Sequence, residues 1–343
     1  MTSHRARLEE CISGGLPDRP PVALWRHFPV DDQDPGRLAT ATAAFQRSFD
    51  FDFIKVTPAS SFCLFDWGAR DVWNGAVEGT REYSAQRVIS EPEDWGRLPI
   101  LEPEAGSLGT QLQCLEFLVK EFHPEAPLVQ TIFSPLAQAK NLVGGENLLQ
   151  HMRREPEALH AGLATISQTT CRFIRAAIKR GIEGIFYAVQ HAQDAVMSEA
   201  EYLEFGKRYD LQVLEESGEL WLNVLHIHGR CIMFDVFTDY PVAVLNWHDQ
   251  ETGPTLSAGL GRFQGAVCGG LARLEDLVLG TPEQIYKKAE KAILETGGRR
   301  FILGTGCVTP TNAPYGNILA ARRSVEPGQP DGSLPGAGRG DRI

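Results

Sequence analysis

The sequence predicts an α/β protein built as a single (β/α)8 TIM barrel, on three observations. Eight short, nearly all-apolar runs recur along the 343 residues, as parallel strands buried on both faces require. Helical patterns fill the intervals between them. Polar residues gather where the runs end, which is where barrel enzymes keep their chemistry. No run is followed by a glycine-rich dinucleotide loop, so the barrel is favoured over an open doubly wound sheet.

The runs are 21–25 (PVALW), 51–57 (FDFIKVT), 128–133 (LVQTIF), 184–189 (GIFYAV), 221–227, 242–247 (VAVLNW), 265–268 (GAVC) and 300–303 (RFIL). Helices are expected over 35–48, 111–121, 146–180 as two pieces with Pro156 starting the second, 198–216 from a Ser198 cap, and 282–296. The last has Thr at the cap, Pro at the first helical position and Gly297-Gly298 at its close, a complete set of start and stop signals. Two regions fall outside the alternation. Residues 58–110 are too long for one connection and hold Trp67, Trp73 and Trp95. They read as an insertion over the barrel mouth, a lid or a dimer contact. Residues 327–343 contain eight Gly or Pro in 17 positions and read as a disordered tail. The domain is therefore 1–326, with no internal repeat.

Lys plus Arg number 33 and Asp plus Glu 44, a net charge of −11. This balance excludes general binding to nucleic acid or anionic membranes, which needs a basic surface. The N-terminal stretch carries charges without an apolar segment, and no run approaches the roughly 18 apolar residues of a spanning helix. A cytoplasmic protein is expected. Its seven cysteines are widely spaced, odd in number and without a CxxC, so they read as free thiols, most of them core packers.

Arg26, His27, Gln190, His191, His226, His228, His248 and Cys307 all fall at run ends. In LHIHG (225–229), His226 and His228 point to one side of a strand because the period is two. Two imidazoles with the Cys307 thiolate make a natural zinc shell with one position open for water or substrate. The competing reading makes His226 a core histidine, His228 a turn residue and Cys307 a packer. His248 can serve as a ligand, a donor to a ligand or an acid, with Gln190 and His191 beside it as catalytic candidates. Arg26 can hold a carboxylate bidentately, or form a structural ion pair. Lys55 lies mid-run, where a charge must be paired, with Asp52 or an acid of the ligand, or face the mouth. Arg26, His27 and Lys55 are the substrate-binding candidates.

The order RPPVALWRH (19–27), FDFDFIKVTP (49–58), GIFYAVQ, LHIHG and GTGCVTPTNAPYGNI (304–318) resembles the uroporphyrinogen decarboxylase superfamily over about residues 5–325. The last segment resembles the family's G-C-x-x-P-x-x-x-P-x-x-N-I pattern. The resemblance implies a (β/α)8 barrel and one of two chemistries. Decarboxylases of porphyrin biosynthesis use two arginines and an aspartate on the tetrapyrrole. Arg26 matches the first arginine, but Val30 stands at the second and Phe53 at the aspartate, with Asp52 one residue away on the other face. The other branch, zinc-dependent methyltransferases linked to corrinoids, has an H-x-C motif and a distant Cys. His226 and Cys307 match it, and His228 replaces the middle Cys. The resemblance to this branch implies Zn2+ on His226, His228 and Cys307, a small-molecule thiol substrate, and a methyl donor such as a corrinoid protein at the mouth. It also implies a homodimer. A tetrapyrrole decarboxylase and a non-catalytic binder of a corrinoid, tetrapyrrole or metal are the rival readings.

Overall fold

The computed structural model describes residues 2–326, and the tail expected over 327–343 lies outside them. The strands are β1 (Ile54–Val56), β2 (Asp71–Val72), β3 (Glu82–Tyr83), β4 (Leu128–Phe133), β5 (Gly184–Val189), β6 (Val224–Ile227), β7 (Val244–Trp247), β8 (Ala266–Leu271) and β9 (Phe301–Thr305). Seven of them form one parallel sheet in the order β1-β4-β5-β6-β7-β8-β9. Each of its strands is buried along its whole length, which is why the runs are continuously apolar rather than alternating. The helices are α1 (His4–Ile12), α2 (Pro35–Phe49), α3 (Gly106–Phe122), α4 (Pro135–Val143), α5 (Gly145–Arg154), α6 (Pro156–Lys179), α7 (Glu199–Tyr202), α8 (Arg208–Glu215), α9 (Leu256–Arg262), α10 (Pro282–Thr296) and α11 (Tyr315–Arg323).

The first run, 21–25, is not among the seven laddered strands. It makes an isolated parallel bridge, Val22 to Leu303. Pro21, and Pro20 just before the run, have no N–H to give the ladder, and the Val22 N–H goes to Asp52 Oδ2 at 2.7 Å. What remains still joins the sheet's two edges. Leu303 donates to the Pro21 carbonyl at 2.8 Å, Ala23 to the Leu303 carbonyl at 3.0 Å, and Asp52 to the Val22 carbonyl at 2.9 Å. The curled sheet is TIM-like.

The core has two parts. A large cluster lies between sheet and helices. A smaller one gathers Ala23, Trp25, Phe53, Val129, Phe186, Val224, Val244, Ala266, Cys268 and Ile302, the inward-facing residues of successive strands. It is the packed inner face of the curled sheet, not a pore. Leu8 and Cys11 join it, so α1 covers the N-terminal end of the strands. The sequence reading missed this helix because its nine residues carry almost no amphipathic stripe. The helix is fixed by ions instead. Asp52 is fully buried and takes His4 at 2.9 Å, Arg7 at 2.7 Å and Arg19 at 2.7 Å.

α10 has the ends its sequence announces. The Thr281 hydroxyl accepts from the Gln284 N–H, Pro282 occupies the first turn, and Gly297 closes the helix at φ 65°. In 58–110 the chain forms the antiparallel pair β2–β3 and short helical turns before α3 begins at Gly106. Trp67 and Trp95 are buried there. Among the described residues no helix is long and apolar enough to cross a membrane. Six cysteines are buried or partly so, but Cys231 is exposed, on a turn at φ 51°.

Candidate metal centre and cavity

The inward series of two neighbouring strands leads directly into the site. Val224 and Val244 belong to the interior cluster. Two residues on, His226 is paired in register with Asn246. Two further, His228 and His248 stand just past the ends of β6 and β7. A period of two thus continues the packed core into a polar crown at the carboxyl end of the strands. Cys307 follows β9. Gly306 is what lets that loop reach the crown, because a Cβ there would lie 2.5 Å from the His248 Cα.

Four donor atoms, one each from His226, His228, His248 and Cys307, lie within 4.8 Å of one another. They are centred on His228 Nδ1, which has His248 Nε2 at 3.2 Å, His226 Nε2 at 3.4 Å and Cys307 Sγ at 3.7 Å. One ring nitrogen has a single hydrogen-bonding position, so it cannot satisfy three neighbours. The three separations from His228 Nδ1 are close to the edges of a tetrahedron around zinc, roughly 3.4 Å between nitrogens and 3.6 Å from nitrogen to sulfur for ordinary bond lengths, and the remaining donor pairs lie within 4.8 Å. The donor set therefore fits a zinc ion.

The surroundings fit as well. Asn246 is fully buried, and its Nδ2 donates to the carbonyls of Cys268 and Thr305, both at 2.9 Å. Its Oδ1 must then face His226 Nδ1, 2.7 Å away. That contact puts the proton on Nδ1 and leaves the Nε2 lone pair facing the centre, as ligand histidines require. Burial pushes the Cys307 thiol up, but the three imidazoles outweigh it and hold the thiol well below its ordinary range. Burial lowers the His226 pKa. For His228, burial also works downward, but Cys307 raises the pKa overall.

The centre floors a cavity of about 260 Å3 whose lining includes Trp25, His27, Lys55, Gln190, His226, His228 and Cys307. Glu78, Arg81 and Tyr83 of the 58–110 segment form part of its wall. Lys55 is buried and does not meet Asp52, which serves the opposite end of the barrel. Its Nζ donates to the Thr57 hydroxyl at 3.1 Å and lies 4.5 Å from the Phe186 ring centroid. Among the described residues no carboxylate pairs with it, and burial lowers its pKa to about 7. His27 is held neutral by burial, with a pKa of about 3. A second cavity of about 560 Å3 shares Lys140, Gln190 and His228 with the first and contains His191. His191 is likewise held neutral by burial, at about 3. Arg26 lines neither cavity. Its Nε donates to the His27 carbonyl at 3.4 Å and its guanidinium lies 5.5 Å from the Phe28 ring centroid.

Sequence reasoning did not single out Asn246, Glu251, Arg273 or Glu78. Asn246 carried a usable signal: it is the one polar residue inside VAVLNW, in phase with His248. The other three are brought together only by the fold.

The family described as Uroporphyrinogen decarboxylase (URO-D) matches residues 26–326. A methylated-thiol–coenzyme M methyltransferase from Methanosarcina mazei is 23% identical over 282 residues, 77% of this chain and 68% of that protein. A uroporphyrinogen decarboxylase from Sorangium cellulosum is 27% identical over 229 residues, and the chain spans only 63% of its length. Among solved structures, a methyltransferase from Methanosarcina mazei aligns with a TM-score of 0.83 at 15% identity, over 94% of this chain and 98% of that one. A B12-independent methionine synthase from a Shewanella species aligns at 0.55 and 11% identity, over 91% and 96%.

Proposed function

The chain belongs to the uroporphyrinogen decarboxylase family, on its methyltransferase-like side, and from that premise we propose a zinc-dependent enzyme that activates a small-molecule thiol for methyl transfer. The observation that carries the reading is the crowding of His226, His248 and Cys307 around His228 Nδ1. The finer fold assignment, a (β/α)8 barrel with 21–25 as its first strand and 58–110 inserted at the mouth, is part of the same reading. It is supported by the bonds that join Leu303 to Pro21 and Ala23.

His226, His228 and Cys307 would hold the metal. A bound zinc supplies Lewis acidity that lowers a thiol's pKa and presents it as thiolate at neutral pH. Asn246 fixes the His226 ring so that Nε2 keeps its lone pair toward the centre. Gln190, in the cavity lining, would orient the reactants, with His248 behind it against His228 Nδ1 at 3.2 Å. Neutral His27 and His191 can accept or donate a hydrogen bond without adding charge. Lys55, an unpaired cation in a mostly apolar cavity, would take the acidic group of a substrate. The Glu78–Tyr83 wall limits water around the nucleophile. The methyl donor would approach from the mouth, on a corrinoid protein or as another methylated compound.

Tetrapyrrole decarboxylation is the weaker reading. Asp52 is consumed by an ion cluster with His4, Arg7 and Arg19, away from the cavity, and Arg26 lines neither cavity. The test is metal analysis of freshly purified protein alongside His228→Ala and Cys307→Ala. The expected result is about one zinc per chain in the wild type, lost in both variants. A wild type without zinc, or variants that keep it, overturns the proposal.

A further inference from the structure

His226 and His248 are held in different ways. The first is locked by a fully buried asparagine. The second is as deeply buried, but among the described residues its Nδ1 makes no aligned hydrogen bond, and only the Glu251 Oε1 stands within ion-pair distance, at 3.3 Å. Glu251 is in turn gripped by Arg273, whose Nε and Nη2 donate to that same oxygen at 3.1 and 2.9 Å. The other carboxylate oxygen of Glu251 has the exposed Arg230 at 3.5 Å. Arg273 is buried, and its remaining nitrogen, Nη1, donates to Glu78 at 2.6 Å.

Glu78 belongs to the segment that walls the cavity. That segment is seated at two neighbouring points. The Val77 carbonyl accepts from the Thr311 N–H at 2.6 Å and its hydroxyl at 2.9 Å. Gly79, at φ +75°, packs so closely that a Cβ would stand 2.3 Å from the His27 Cβ. A continuous set of charged contacts therefore runs from the cavity wall to His248: Glu78, Arg273, Glu251. Sequence separations of 195 and 22 residues make this a product of the fold, not of local structure.

We propose that Arg273 is a positioning residue that couples the Glu78 loop to His248, so that seating the loop presents His248 to the centre as a fourth donor. The inference rests on the zinc reading above. A carboxylate behind a ligand histidine fixes ring orientation and raises its basicity. Here the carboxylate is itself held by an arginine whose other partner moves with the loop. A ligand entering the cavity meets Glu78, and a shift of Glu78 releases the grip on Glu251 and lets His248 turn away from the centre.

The experiment measures zinc affinity by chelator competition, and the d–d spectrum after cobalt(II) substitution, in the wild type, Glu78→Gln, Glu251→Gln and the double variant. Glu78 is partly exposed, so its variant should fold normally. Glu251→Gln is expected to weaken zinc about 10-fold or more. Glu78→Gln is expected to weaken it about 3-fold, with a change in cobalt band intensity, and to add nothing in the Glu251→Gln background, since the two act through one arginine. Glu82→Gln, in the same segment but bonded to Asn74 at 2.9 Å, is the control and should match the wild type. Unchanged affinity in Glu78→Gln, effects that multiply in the double variant, or an equal loss in Glu82→Gln overturns the coupling while leaving the zinc reading intact. A wild type that binds no zinc overturns both.

Discussion

The side-chain oxygen of Asn246 sits 2.7 Å from Nδ1 of His226, and the asparagine cannot be flipped without losing two bonds to the Cys268 and Thr305 carbonyls. This one residue ties three strands together and sets the tautomer of a histidine. Its two tasks predict two losses. In Asn246→Leu three buried polar groups lose their partner, each costing about 1–3 kcal/mol. Partial relaxation should leave a destabilisation of about 2–5 kcal/mol, read by urea unfolding. Zinc affinity should also fall about 10–100-fold because the His226 ring is free to turn. A variant with wild-type affinity would show that the tautomer does not depend on Asn246.

Gly306 predicts a second effect at the same centre. Its would-be Cβ lies 2.5 Å from the His248 Cα and 2.7 Å from the Trp247 carbonyl oxygen. Both obstacles are backbone and neither can swing aside. Gly306→Ala should force the β9 loop away from β7 and separate Cys307 from the imidazoles. The expected signs are weaker zinc binding and slower alkylation of Cys307, whose low pKa depends on those imidazoles. Alkylation at the wild-type rate would mean that the loop absorbs a methyl group without moving sulfur.

Much of this was legible beforehand, for identifiable reasons. Strands buried on both faces write themselves as apolar runs, so seven of the eight expected runs hold at least half of a sheet strand: 51–57 contains β1, and the last six overlap β4 to β9 in order. A period of two carried His226 and His228 to one side. The run at 21–25 keeps only a bridge to Leu303, because Pro21 has no N–H and the Val22 N–H is taken by Asp52 Oδ2. The helix α1 escaped because its apolar face is only Leu8 and Cys11, too narrow a stripe for sequence patterns to detect, with His4 and Arg7 on Asp52 completing the contact. Arg26 reads as a cavity cation, but its side chain turns toward Phe28. Arg273 and Glu78 were invisible, since a loop and a strand end 195 residues apart reveal a salt bridge only in three dimensions.

The Asp52 cluster predicts a stability that depends on pH from both sides. Burial raises the pKa of Asp52, but hydrogen bonds from His4 and the charge of Arg19 outweigh it and leave the carboxyl well below its ordinary range. Its stabilisation is therefore present above pH about 4 and is lost as pH falls through the folded value. For His4, burial lowers the pKa, but Asp50 and Asp52 raise it to about 9. That contribution is complete below pH about 6.5 and is lost as pH rises through 9. Thermal denaturation of His4→Ala should lack the decline between pH 6.5 and 9 that the wild type shows. Asp52→Ala leaves Arg7 and Arg19 buried without a partner and should cost about 3–5 kcal/mol, without any change in zinc affinity.

Lys55 predicts a trade between stability and binding. Burial lowers its pKa to about 7, with the charge of Cys307 opposing. In an unfolded chain the amine titrates near 10.4. Below pH about 7 the folded protein therefore carries a buried charge that costs stability. Between 7 and 10.4 the unfolded state binds the extra proton, so this cost is relieved as pH rises. Lys55→Met removes the charge and keeps the bulk beside Trp25 and Phe186. It should raise the melting temperature at pH 6 and leave it nearly unchanged at pH 10. If the cation receives an acidic group of the substrate, mercapto acids should raise the melting temperature of the wild type and not of the variant, while neutral thiols of similar size bind both. A variant destabilised at pH 6, or one that binds acidic and neutral thiols as the wild type does, would remove Lys55 from the substrate site.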